Sequence, residues 1–238
     1  MRVLIGIDDT DNLETIGTGR LSRMLAAELC ERGLIHEWEN TRHQFLVHPD
    51  IPYTSHNSSA CIAALAGATL DEIAAAARAF VLAHEHEGAN PGLCIADAEA
   101  VPSALVELGK RAQREVLELA PVQRAATELG PRVWWTGETG QGVIGAMGGV
   151  GLRSTGQDGR YIALRGIREL RGVLRVEEIL AGSGVERVVD EDGRDLERDA
   201  PVDTRDWVRP WLREGSPTFV VRAEKGRWVP AERRNKDL

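Results

Sequence analysis

The first eleven residues constrain this chain more than any other stretch: Met1-Arg2-Val3-Leu4-Ile5-Gly6-Ile7-Asp8-Asp9-Thr10-Asp11. An apolar run followed at once by Asp8, Asp9 and Asp11 predicts a fully buried strand that delivers carboxylates to its carboxyl end. That is the end at which open α/β sheets place their ligands. Grouping the three acids is unfavourable through like-charge repulsion unless a cation offsets it, and hard oxygen ligands suit Mg²⁺. The same residues also fit a solvated acidic turn in which Asp11 serves as a helix N-cap or Asx-turn residue.

After the acids the pattern predicts strand, loop, helix. Leu21, Met24, Leu25 and Leu29 recur at helical spacing, and Gly33 supplies a stop. Thr18 sits near the helix start, where its hydroxyl can cap free N–H groups and where the macrodipole favours an anion. Residues 35–48 read as one long or bent strand, 48–59 as a polar loop rich in proline, and 60–65 as a new apolar strand. Thr69-Leu70-Asp71-Glu72 is a capping-box start to an alanine-rich helix reaching about His86. Asn90-Pro91-Gly92 is a turn, 93–96 a short buried strand, and 102–119 an amphipathic helix. A shorter helix beginning at Pro121 closes at Gly130.

A second informative stretch comes after the strand Arg132–Trp135: Thr136-Gly137-Glu138-Thr139-Gly140-Gln141-Gly142-Val143-Ile144-Gly145-Ala146-Met147-Gly148-Gly149. Glycines admit phosphate oxygens close to the backbone, and a helix starting near Gly142 would aim its N–H groups and dipole at them. The stretch is not a P-loop, because the lysine and following hydroxyl residue are absent. Close helix packing through Gly145, Gly148 and Gly149 accounts for several of these glycines without a ligand. Beyond it the expected elements are a strand at 161–164, a short helix at 176–181, a strand at 187–190 ending in the Asp192-Gly193 turn, and a strand at 218–222 with a hairpin arm to Trp228.

With 238 residues and 42% hydrophobic content, the chain is long enough for one large or two small domains. No stretch approaches the ~20 apolar residues of a membrane span, and no secretory signal pattern opens the chain, so a soluble, cytoplasmic protein is expected. Cys30, Cys61 and Cys94 form no CxxC pair, which argues against a disulfide framework or a zinc ribbon. The formal net charge of −8, from 37 acidic and 29 basic residues, gives no global field for nucleic acid.

Taken together, five elements in order resemble the archaeal agmatidine synthetase family, whose members attach agmatine to a cytidine of an isoleucine tRNA. They are Gly6-Ile7-Asp8-Asp9-Thr10-Asp11, Thr18, His48-Pro49-Asp50-Ile51-Pro52-Tyr53, Asn90-Pro91-Gly92 and Gly140-Gln141-Gly142-Val143-Ile144-Gly145-Ala146. Ser216 to Arg222 resembles a later segment of that family.

The resemblance implies a mixed α/β fold in which a kinase-like nucleotide domain, residues 1–58 and 125–170, is interleaved with a ferredoxin-like α/β domain, residues 59–124 and 171–232, ahead of a disordered tail at 233–238. It implies ATP and Mg²⁺ as cofactors, with metal-binding acids at Asp8, Asp9 and Asp11 and a phosphate-handling hydroxyl at Thr18. Nucleotide contacts fall on Thr10, Gly137, Gly140, Gln141, Gly142 and Gly145, and substrate contacts on Tyr53, His56, Asn57 and Asn90. Two departures accompany the matches. The family's basic residue and Gly-Asn-Gly-Ala after the Ile-Pro-Tyr element are replaced by Thr54-Ser55-His56-Asn57-Ser58-Ser59-Ala60, and no cysteine pairs follow for the family's zinc ribbon.

With a net charge of −8, these departures count against tRNA as a direct substrate. The expectation is therefore an ATP- and Mg²⁺-dependent phosphoryl-transfer or ligase enzyme with a small or nucleoside-like acceptor. The alternatives are a tRNA-modifying agmatine ligase working with a separate RNA-binding partner, and a nucleotide-sensing module without turnover.

Overall fold

A computed structural model describes residues 1–12, 16–51, 56–129 and 132–231. The chain divides into two units, residues 1–155 and 156–238. In the first, the opening apolar run forms β1 (Arg2–Asp8), followed by α1 (Thr18–Glu31), β2 (Ile35–Gln44), β3 (Ser58–Ala66), α2 (Leu70–Ala83) and β4 (Gly92–Asp97). The sheet order β4-β1-β3-β2, with every neighbour antiparallel, is the split βαβ arrangement of ferredoxin-like folds. β3 lies between β1 and β2, so residues 59–97, expected from sequence in a separate domain, share one sheet with the acidic strand. Local periodicity does not report this long-range pairing.

The chain then adds α3 (Ser103–Ala112), α4 (Leu119–Glu128), β5 (Arg132–Trp135) and α5 (Gly142–Ser154). β5 extends the sheet beside β4. Because strand side chains alternate, Leu4, Cys61, Ala63, Cys94 and Ala96 turn to one face, where Val143, Ala146, Met147 and Val150 of α5 pack with Leu105 of α3. Val3, Ile5 and Ile7 are fully buried on the other, and α1 and α2 lie against the same sheet. Each fully buried Val, Leu, Ile or Met among them contributes roughly 1.5–3 kcal/mol by leaving water. Thr69 forms the expected capping box with Glu72. Cys61 and Cys94 are buried core thiols, Cys61 pushed up to about 12 chiefly by burial, while Cys30 is half-buried and all three are free.

The single amphipathic helix expected over 102–119 divides. α3 stops at Ala112, and α4 starts at Leu119 with Pro121 in its first turn. Proline clashes with the carbonyl four residues earlier, here Leu117, so the helix cannot run through that point. Gln113 closes the break by donating from Nε2 to the Gln44 carbonyl at 3.2 Å, and the Leu46 N–H donates to the Ala112 carbonyl at 3.0 Å.

The second unit holds β6 (Arg160–Ala163), β7 (Val173–Arg175), α6 (Val176–Gly182), β8 (Arg187–Val189), β9 (Pro201–Asp203), β10 (Trp211–Arg213), β11 (Ser216–Glu224) and β12 (Arg227–Pro230). Its strands run in the order β6-β10-β11-β12-β9-β7, with β8 parallel to β11. Tyr161, Ile179, Val188, Phe219 and Val221 form its core. Among the described residues no helix is long and apolar enough to cross a membrane.

Candidate functional site

Strand register assembles the site. Asp8 is opposite Gly92, and Gly92 is opposite Trp135. The antiparallel pairing therefore brings three loops to one edge: the acids after β1, residues 88–91 before β4, and the glycine-rich turn after β5. The start of α1 lies beside them, because Thr18 is tied to the acidic loop.

The Thr18 hydroxyl donates to Asp11 Oδ1 at 2.7 Å and accepts from the Thr10 hydroxyl at 3.1 Å. The Thr18 N–H also donates to Asp11 Oδ1, at 3.3 Å. Thr18 is therefore not the cap of its own helix. The N-cap is Gly17, without a side-chain bond, and the Asp11 carboxylate takes an N–H of the first turn, where the dipole favours an anion. Thr10 is buried and holds Thr18 rather than facing the cleft.

Asp9 has a left-handed backbone, φ 52°. Its carbonyl accepts the Asn90 N–H at 3.1 Å, and its carboxylate accepts from Gln141 Nε2 at 3.0 Å. Asp8 packs directly on Gly145, where any Cβ would coincide with its carboxylate. Burial, then the neighbouring charge of Asp9, push the Asp8 carboxyl well above the usual carboxylate range. Burial also raises Asp9, opposed by the Gln141 hydrogen bond. Part of Asp8 still touches the cleft, but the surrounding protein dominates its environment.

Asp8, Asp9, Asp11, Thr18, Gln141, Gly142 and Gly145 line an open cleft of about 350 Å³, together with His56 and Asn57. Gly137, Gly140 and Asn90 are not in its lining. Tyr53 lies outside the described residues, as do Thr54, Ser55 and the tail at 233–238. The cleft has a second wall that sequence reading did not identify: Phe45, Ile51, Ala112, Val116, Leu117, Leu119 and Ile144. Most of it comes from the break between α3 and α4, and Pro121 was the available signal.

The glycine turn differs from the expected phosphate cradle. Thr139 and Gly140 N–H groups donate to Asn90 Oδ1 at 2.7 and 3.3 Å, and the Gln141 N–H to Thr139 Oγ1 at 3.3 Å. The N–H groups of Gly142, Val143 and Ile144 donate to the carbonyls of Asn90, Gly140 and Gln141. From 139 to 144 every backbone donor is already engaged within the protein. The glycines here serve close approach, as at Gly145.

Among the described residues no lysine or arginine lines the cleft, whereas Asp50 and Glu115 join the three acids. Residues 1–155 also carry the whole net charge of −8. A bare polyphosphate is therefore disfavoured. Among the described residues no three acidic, histidine or cysteine side chains converge closely enough to hold a metal ion alone. The Asp9 carboxylate is drawn toward Gln141 and that of Asp11 toward Thr18. Mg²⁺, however, commonly takes one or two carboxylates with water and substrate phosphates. The donor set fits a metal that arrives with a polyphosphate.

No protein-family model matches the chain, and no curated protein matches it in sequence. Among solved structures it is similar to a tRNA fluorescent labeling enzyme, at 26% identity and TM-score 0.53, over 63% of this chain and 36% of that one. It is also similar to TiaS in its complex with an isoleucine tRNA and ATP, at 25% identity and TM-score 0.54, over 63% and 36%. Apo TiaS, the agmatidine synthetase of that tRNA, shares the fold at 23% identity and TM-score 0.55, over 63% and 35%. The chain spans about a third of the length of these proteins.

Proposed function

We propose that the chain is an ATP- and Mg²⁺-dependent phosphoryl-transfer or ligase enzyme acting on a small or nucleoside-like substrate. The observation that carries this reading is one cleft in which the acids after β1 face the start of α5 with no lysine or arginine among the described residues that line it. A polyphosphate can enter such a cleft only with its charge offset, and phosphoryl transfer depends on positioning and charge stabilisation more than on covalent chemistry. One or two of Asp8, Asp9 and Asp11 would hold Mg²⁺ together with water and the phosphates, on which the ion would supply positive charge. Gln141 orients the Asp9 carboxylate, and Thr18 orients that of Asp11. The apolar wall from Phe45 to Ile144 offers a surface for a base or an acceptor, and it sheds water from the reacting end. The likeness to TiaS bound to its tRNA and ATP supports a nucleotide as ligand.

Product analysis tests the proposal. Purified protein with ATP, Mg²⁺ and a panel of amines and nucleosides should release ADP with phosphate, or AMP with pyrophosphate, only with the right acceptor. Nucleotide binding without release of any of these products would mark a sensor instead. The same likeness favours a second reading, tRNA modification with a separate RNA-binding protein. That reading requires incorporation of a labelled amine into tRNA in cell extract and none with the purified chain.

A further inference from the structure

We infer that Asn90, rather than contacting substrate, is the positioning residue that holds the acidic loop and the glycine turn in one arrangement. Asn90 is 8% exposed and makes five hydrogen bonds. Its N–H donates to the Asp9 carbonyl at 3.1 Å, and its carbonyl accepts the Gly142 N–H at 3.1 Å. Its side-chain oxygen accepts the Thr139 and Gly140 N–H groups, and its Nδ2 donates to the Gly88 carbonyl at 3.3 Å.

The consequence lies in the bond between Gln141 and Asp9. Asn90 fixes the backbone on both sides of Gln141, at Thr139 and Gly140 before it and at Gly142 after it. It also fixes the other partner, because the left-handed conformation of Asp9 persists only when its surroundings enforce it and the Asn90 N–H holds its carbonyl. One side chain and its own peptide groups thus set both ends of the hydrogen bond that aims the Asp9 carboxylate. Asparagine suits the role because its side chain accepts from the two turn amides and donates to Gly88 at once. Pro91 restricts the preceding residue to extended backbone conformations, so Asn90 loses little freedom in making these bonds.

The affinity readout rests on the nucleotide reading proposed above, and a second readout does not. Calorimetry with Mg²⁺ and a non-hydrolysable ATP analogue is applied to the full chain, to Asn90→Ala, to Gln141→Ala and to the double variant. Outer-shell partners of this kind change affinity by about ten- to a hundredfold. Asn90→Ala should weaken binding in that range, and the double variant should bind no more weakly than Asn90→Ala, because both changes remove the same Asp9 bond. Wild-type affinity in folded Asn90→Ala, or fully additive losses, overturns the inference.

Amide exchange by NMR, without ligand, reads the same point if wild type binds no nucleotide, an outcome that would count against the proposed function alone. Asn90→Ala should speed exchange at Thr139 and Gly140 and also at the Gln141 side-chain amide. Faster exchange at the two backbone amides with the Gln141 carboxamide unchanged makes Asn90 a local scaffold and overturns the inference. Asn90→Asp keeps an accepting oxygen and should retain protection at all three. Asn90→Ser takes the place of the alanine variant if that protein does not fold.

Discussion

Adding one methyl group at Gly145 sets two effects of opposite sign against each other. Gly145 is the fourth residue of α5, and alanine in place of a helical glycine is worth about 1 kcal/mol. The new Cβ, however, would fall on the Asp8 carboxylate, with Asp8 Cγ only 2.6 Å and Asp8 Cβ 3.1 Å away. The helix cannot retreat, because α3 backs it, with Gly151 against the Leu105 carbonyl and Gly148 close to Gly109. The carboxylate must therefore rotate, and overpacking of this kind costs about 1–3 kcal/mol. The clash outweighs the helix gain, leaving a net loss of roughly 0–2 kcal/mol. At about 2–4 °C per kcal/mol, Tm falls by at most ~8 °C. In an Asp8→Ala background the overlapping carboxylate atoms are gone, and Gly145→Ala should become stabilising. Denaturant unfolding of the four proteins closes the cycle. Equal stabilisation by Gly145→Ala in both backgrounds would show that the carboxylate does not lie over Gly145, and the floor of the cleft would have to be redrawn.

Three further outcomes are expected. Thr18→Val removes the hydroxyl that joins Thr10 to Asp11 and leaves the buried Thr10 hydroxyl without its partner, costing about 1–3 kcal/mol in denaturant unfolding, whereas Thr18→Ser should stay near wild type. Asp8 and Asp9 bind protons more tightly in the folded chain than at the ordinary 3.8, so their contribution to stability is most favourable in acid. It declines as pH rises from that value through the raised folded one, and pH-dependent unfolding of wild type against Asp8→Asn should show the variant losing less across that interval. Thr69→Ala, which breaks the α2 capping box, should cost about 1 kcal/mol without changing nucleotide binding, read by melts with and without ligand.

The parts of this molecule legible in its sequence are those that local chemistry decides. The run into Asp8 reads as a buried strand because nothing polar interrupts it. Thr69 and Glu72 announce a helix start by spacing alone, and the glycine stretch announces α5. What escaped depends on distant partners. The pairing of Gly6 with Cys61 on one side and Cys94 on the other is a matter of long-range register, and it places residues 59–97 in the same sheet as the acids. The apolar wall at Val116 and Leu117 hid inside a helical pattern that Pro121 interrupts from downstream. The motif of Asn90 was visible in the sequence while its five hydrogen-bond partners were not. The glycine turn resembled a cradle because glycine reports that a close approach occurs without saying whether a ligand or the Asp8 carboxylate makes it.

On the proposed function, the acidic cleft takes a nucleotide only together with a divalent cation. Titration calorimetry of the folded full chain with ATP, once in excess Mg²⁺ and once in EDTA, tests it directly. Saturable heat with Mg²⁺ and none with EDTA is the predicted result, with the Mg²⁺ response lost in Asp8→Asn. Equal binding in EDTA, or no binding at millimolar nucleotide with Mg²⁺ present, would contradict the account.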